Sequence, residues 1–259
     1  MNHWLAFWGF VGAAAGSPDE ASPEAELLRR VDEVVPYRAL RVAPEPPEIP
    51  REEYERVARG KIITGLQPVE GHAAKKAYGA GLIDVPIGRL WAVVNDELHH
   101  PGYTRITYAE LVDGAPCQSG RAVLQFMPVP VIADRWWITH LSSNERIWEE
   151  SGGAVRELSW TSTVDPTVVT SEKGREVVAE NTPVGFTRGG WLLVQIDETR
   201  TLLEYYIWTD PGGRIPKAAA NLFAAGGIKD AIEAMERYAN EAEPTCRRPG
   251  CPVGLPAAR

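Results

Sequence analysis

Thr209-Asp210-Pro211-Gly212-Gly213-Arg214-Ile215-Pro216-Lys217 decides the architecture of this chain. It follows Leu202-Leu203-Glu204-Tyr205-Tyr206-Ile207-Trp208, which reads as a strand, and runs into a long helical pattern. Asp-Pro-Gly-Gly ends a strand abruptly, because Pro211 has no N–H for a ladder and the glycines reach positive φ without steric cost. Pro216 suits the first turn of a helix, where a missing N–H goes unnoticed. The connection therefore throws a C-terminal helix back across the sheet it has just left.

Upstream of this turn the chain alternates in strand fashion over 61–66, 72–85, 103–112, 118–127, 134–142, 155–164 and 184–196, with Gly, Pro, Asn and Asp in the gaps. Pro86 opens a helix with Ile87, Leu90, Trp91 and Val94 on one face, and Pro50 precedes another over 51–59. The final helix, 215–241, carries Ile228, Ile232, Met235 and Ala239 as one stripe. Grouped strands with helices early and at the end indicate an α+β fold with an antiparallel sheet. That many strands curl rather than stay flat, so the sheet should wrap the last helix and leave a cavity for a ligand.

The chain has 259 residues and a net charge of −8, which excludes non-specific nucleic-acid binding and docking on anionic lipid by overall charge. Nine tryptophans are expected in the core or lining a pocket. Residues 1–16 read as a signal peptide. The apolar run from Trp4 to Ala15 is too short to span a bilayer, and Ala13-x-Ala15 fits a cleavage site, although Met1-Asn2-His3 supplies no cation. An exported, periplasmic or extracellular protein is the expectation, with a cytoplasmic one as the alternative. Residues 17–50 read as a proline-rich linker holding a marginal helix over 26–35; 51–242 is the folded domain and 243–259 a flexible tail. Cys246 and Cys251 could close a small disulfide loop or be incidental thiols, and Cys117 would then be a lone, packed thiol.

The strand, Asp-Pro-Gly-Gly-x-Ile-Pro-Lys and the helix bearing Asn221 resemble the end of a START domain. START domains are lipid-binding modules of the helix-grip superfamily, which includes the major birch-pollen allergen and polyketide cyclases. The resemblance runs from about residue 77 to 238. It takes in Ile83-Asp84-Val85-Pro86 before Leu90-Trp91, and Asp134-Arg135 after a proline-rich loop. It implies a helix-grip fold, a curved antiparallel sheet around a long C-terminal helix with an internal cavity. It also implies binding and transfer of a hydrophobic small molecule or lipid, with transient membrane contact. Two other readings stay open: a polyketide cyclase or aromatase using the same pocket, and a ligand-free envelope interaction module.

No nucleophile elbow, Walker loop, dinucleotide fingerprint or zinc motif occurs, so no catalytic residue, cofactor or metal is expected. His99-His100-Pro101 reads as a solvated helix end. In Trp136-Trp137-Ile138-Thr139-His140, strand parity puts Trp137 and His140 on opposite faces without saying which points inward, and both are candidate ligand contacts. Arg121 and Arg135 lie in apolar strands; a guanidinium facing the cavity would need a carboxylate or an anionic headgroup. A cyclase would need His140, Arg121 or Tyr205 to converge on substrate. Tyr205 and Ile207 share a strand face, and Asn221, Leu222 and Phe223 follow the small residues that start the last helix. The loop Met127-Pro128-Val129-Pro130-Val131-Ile132 is apolar where a polar turn is the rule. By position it resembles the loop that gates the START tunnel, with Met127, Val129, Val131 and Ile132 as gating residues.

Overall fold

The structure, a computed structural model, describes residues 22–129, 133–163, 165–213 and 217–246, with 217–226 described as backbone only. Helices α1 (Pro23–Glu33), α2 (Val35–Arg38) and α3 (Arg51–Ala58) precede strands β1 (Ile63–Gln67) and β2 (Lys76–Ile83). Helix α4 (Ile87–Val94) and a 3-10 turn (Glu97–Gly102) lead to β3 (Tyr108–Asp113), β4 (Arg121–Met127) and β5 (Arg135–Ser143). Helix α5 (Glu145–Glu150), β6 (Val155–Thr163), α6 (Glu172–Glu180) and β7 (Thr182–Pro183) follow, and β8 (Phe186–Gln195), β9 (Thr201–Asp210) and α7 (Lys217–Glu241) complete the domain.

The strands form one curved sheet in the order β1-β2-β9-β8-β6-β5-β4-β3, antiparallel throughout, with the two-residue β7 added in parallel to β5. α4 and α7 lie on its concave face. The stripe expected on the last helix is fully used: Ile228, Ile232, Met235 and Ala239 are all buried against Ala77, Leu203 and α4. α7 comes close to β2 because Gly79 stands there. A Cβ at Gly79 would sit 2.5 Å from Ile228 Cγ2 and 2.6 Å from the Ile63 carbonyl, well inside contact distance.

The N-terminal segment is no linker. α1 and α3 cover the convex face, where Leu27, Val31, Tyr54 and Val57 are buried with Ile63, Ala80, Leu192 and Leu202. Ser22 caps α1 by accepting from Ala25 N at 3.2 Å, so the short helix starts with a satisfied end. The prolines after it fix a path that delivers Arg38 and Arg41 to two carboxylates buried on the sheet. Glu204 accepts from Arg38 Nη1 and Tyr54 Oη, each at 2.8 Å, and Glu157 accepts from Arg41 Nε at 2.9 Å and Val42 N at 2.8 Å. Both carboxylates thus find their partners in residues 38–54. α6, unforeseen in the sequence, covers β4 and β5 on the same side through Val177.

The cysteine expectation is also corrected. Cys117 is no lone thiol: it is bonded to Cys246, across a sequence separation of 129. Cys251 lies outside the described residues, so the Cys246–Cys251 loop is excluded by Cys246 being taken. The bridge pins the segment after α7 to the β3–β4 hairpin. Around it, Asp96 accepts from Tyr238 Oη at 2.6 Å and from Thr245 N and Oγ1, each at 2.7 Å. Residues 243–246, expected as the start of a flexible tail, are thereby anchored.

Candidate functional site

Between the concave face and α7 the packing stops short and leaves a cavity of about 450 Å³. Its floor is aromatic. Tyr205 stacks on Trp191 at 3.9 Å between centroids, and the Trp160 ring lies 5.9 Å from it. Gly189 makes this possible, since a Cβ there would sit 2.4 Å from Trp160 Cζ2. Burial pushes the Tyr205 phenol above its ordinary range, so its hydroxyl stays protonated. Among the described residues no group hydrogen-bonds that hydroxyl. Ile207, Trp137 and Met127 continue the lining, and Trp137 Nε1 donates to Gln125 Oε1 at 2.8 Å, which satisfies the indole where it would otherwise face an apolar space.

One end of the cavity is polar. Glu97 and His100, from the 3-10 turn, both reach it. Behind Glu97 stands Arg121, 1% exposed, whose Nε donates to Glu97 Oε2 at 2.9 Å and whose Nη2 pairs with Oε1. Arg121 further donates to Asn95 Oδ1 at 3.2 Å and Gln118 O at 2.7 Å. The guanidinium thus has its carboxylate, as a buried cation requires, and touches the cavity only through Glu97. His100 is buried, with Nε2 3.1 Å from Val93 O. Burial depresses its pKa, with Arg121 adding to the effect against the pull of Glu97 and Asp96, so it is held neutral. The reading of His99-His100 as a solvated end therefore fails at His100. At the rim Arg105 pairs with Asp230 at 2.5 Å and Arg237 donates to Tyr103 O at 2.5 Å, tying α7 to the loop after the 3-10 turn.

The structure brings Trp137, Tyr205, Ile207 and Met127 together on one lining. It keeps three ligand candidates off that lining: His140, Arg135, and Arg121, which stands behind Glu97. His140 is exposed on the convex face, because parity turns Trp137, Thr139 and Leu141 inward and His140 out. Arg135 is buried but faces the Asp-Pro-Gly-Gly turn: Nε donates to Pro211 O at 2.6 Å and Nη2 to Gly212 O at 3.3 Å. Its task is to hold that turn, and desolvation lowers its pKa. The convergence of His140, Arg121 and Tyr205 does not form, since one points outward and one is spent on Glu97. Val129 is half-buried, its N–H donating to Asp134 Oδ1 at 2.9 Å. Val131 and Ile132 lie outside the described residues, as do the side chains of Asn221, Leu222 and Phe223. Glu97, His100, Gln125, Trp160 and Trp191 escaped the sequence reading. Only the tryptophans carried a signal there, as bulky residues on the strand face shared with Tyr205.

No family model matches this sequence, and no curated protein matches it. Solved structures do. A STAR-related lipid transfer protein from Xanthomonas axonopodis superposes with a TM-score of 0.56 at 17% identity, over 69% of this chain and 93% of that one. The fold is that of a START domain. Human StAR-related lipid transfer protein 5 gives 0.56 at 12% identity over 83% of this chain and 96% of its own. Human STARD10 gives 0.54 at 16%, over 78% and 83%. At these identities the likeness is one of backbone architecture, and the START-type helix grip is what it establishes.

Proposed function

We propose that this protein binds one hydrophobic molecule, a lipid, in the cavity between sheet and α7 and transfers it between membranes. The observation that carries the reading is the cavity of about 450 Å³. Close-packed interiors leave few voids larger than a water molecule, and an apolar hollow of this size lies within the range of ligand sites. Apolar burial against Trp137, Trp160, Trp191 and Ile207 supplies the affinity, and Glu97, Gln125 and the Tyr205 hydroxyl orient a polar group of the guest. The three solved START-type structures include two named as lipid transfer proteins, which supports the same reading. The Cys117–Cys246 bridge supports export, because disulfides persist in oxidising compartments. Sequencing the mature N-terminus tests that part.

The binding claim is tested by native mass spectrometry after gentle extraction, with Ile207→Trp as the control. The wild type should carry a co-purifying lipid, and Ile207→Trp, which narrows the hollow, should be folded and carry less of it. A wild type that is empty and takes up no lipid from vesicles would refute the reading, and turnover of an aromatic polyketide would move it to the cyclase class.

A further inference from the structure

At one end of the sheet β4 finishes at Met127, β5 and β8 begin, β9 finishes and β2 begins, so the apolar loop and the Asp-Pro-Gly-Gly turn share an edge. The concave side of that edge is cavity wall, with Thr187, Ile207 and Thr209. Its convex side carries a cluster that the ligand-binding reading leaves unused. Arg188 lies directly across from Trp208, with its guanidinium carbon 4.7 Å from the Trp208 ring centroid and 4.9 Å from that of Phe186. Lys76 Nζ lies 5.3 Å from the same indole, and His72 meets it edge-on at 4.8 Å. Trp208 is fixed by burial and by Nε1 donating to Ala74 O at 3.1 Å, so it is a rigid platform for these cations.

Lys76 is buried, and its Nζ donates to Glu45 O at 2.8 Å as well as to the Glu45 carboxylate. Glu45 pairs with Lys76 at 3.0 Å and is 74% exposed. Among the described residues no carboxylate or carbonyl binds the Arg188 guanidinium, whose carbon lies over two rings set nearly at right angles. A planar fork in that state matches the oxygens of a phosphate. Because the net charge of −8 repels anionic surfaces as a whole, any attraction to one must be local, and this is a local cation cluster on the edge that bears the apolar loop.

We propose that Arg188, held on the Phe186–Trp208 platform with the charge of Lys76 behind it, binds the phosphate of an anionic phospholipid headgroup and seats this edge of the domain on a membrane. Glu45 acts as the internal competitor for that phosphate. The site is separate from the cavity and does not depend on what the cavity holds.

The test uses the full chain and sedimentation with two kinds of vesicle, phosphatidylcholine alone and phosphatidylcholine mixed with phosphatidylglycerol. The wild type should bind the mixed vesicles more tightly. Arg188→Gln should lower that binding about fivefold, the effect of one cation near a charged surface, with no change on neutral vesicles. Arg188→Lys should fall between, since it keeps the charge but loses the fork. Glu45→Gln, at an exposed position, should raise binding to mixed vesicles and serves as the second variant if Arg188→Gln fails to fold. Equal loss on both vesicle types, or no response to either substitution, overturns the proposal. Stabilisation of the wild type by inorganic phosphate, lost in Arg188→Gln with vesicle binding unchanged, would assign the site to a free anion instead. Lipid uptake from detergent micelles should be the same in Arg188→Gln and wild type, which separates failure here from failure of the cavity reading.

Discussion

Breaking the Cys117–Cys246 bridge should destabilise the domain and loosen the end of α7. The bridge spans 129 residues, and closing a loop of that length in the unfolded chain removes entropy worth roughly 5 kcal/mol, while measured bridges typically return about 2–4 kcal/mol. A second term can be separated from the first. Cys117 sits at φ 64, a left-handed conformation that costs a residue with a Cβ about 1–2 kcal/mol. Cys117→Ala loses the bridge and keeps that cost, whereas Cys117→Gly loses the bridge and sheds it, so the glycine variant should be the more stable of the two by about 1 kcal/mol. Urea unfolding with and without reductant reads both effects. The oxidised wild type should have the highest midpoint, reductant should lower it, and neither variant should respond to reductant. Peptide mapping must recover the Cys117–Cys246 pair. Unfolding midpoints indifferent to reductant, or three free thiols in the oxidised protein, would refute the reasoning.

Four other outcomes are expected. Glu97→Ala strands a buried guanidinium and should cost about 3–5 kcal/mol, while the double variant Glu97→Leu with Arg121→Met should recover most of it in the same unfolding assay. Leu27, with no exposed surface, should cost about 2–5 kcal/mol when cut to alanine; a linker residue would change little. His100 has its pKa depressed below 6.5, so the unfolded chain binds the extra proton first. Its contribution is complete above pH 6.5 and is lost as pH falls toward the folded value, and thermal melts of His100→Gln should lack that segment of the acid decline. If the loop dips into the membrane as the resemblance implies, Val131→Asp with Ile132→Asp should abolish transfer between liposomes and leave the melt unchanged, since each buried aliphatic side chain would be worth at most about 1.5–3 kcal/mol.

The parts legible in the sequence were those governed by local rules. The Asp-Pro-Gly-Gly break, the Ile228-Ile232-Met235-Ala239 stripe and the shared face of Tyr205 and Ile207 follow from turn chemistry and periodicity, and all three are found in the structure. Arg121 shows where local rules stop. The need for a carboxylate followed from its apolar strand, but the partner, Glu97, stands 24 residues earlier in a 3-10 turn with no periodic signal. His140 was misjudged because alternation fixes which residues share a face and leaves open which face is covered. The N-terminal segment was misread for a related reason. Prolines at 44, 46, 47 and 50 predict an extended chain, and the chain is extended there, but only the sheet with Glu157 and Glu204 waiting on it makes that path an ordered one.

The way the C-terminal half of α7 is held bears on how a ligand would enter. The C-terminal half is held by Ile228, Ile232, Met235 and Ala239 in the core, by Tyr238 on Asp96, by the stacking of Tyr103 on Tyr238 at 4.4 Å, and by a covalent bond just beyond. Opening the cavity there would break a buried hydrogen-bond network and the Glu97–Arg121 pair at the polar end beside it, a change costing several kcal/mol. The rim pairs Arg105–Asp230 and Arg237–Tyr103 involve exposed groups, each worth about 1 kcal/mol or less. On the reading proposed above, passage past these rim pairs toward the edge bearing Met127, Ile207 and Thr209 breaks less than passage through the Tyr238–Asp96 network. That is the edge where the Arg188 cluster would meet a membrane, so that route and the docking surface coincide.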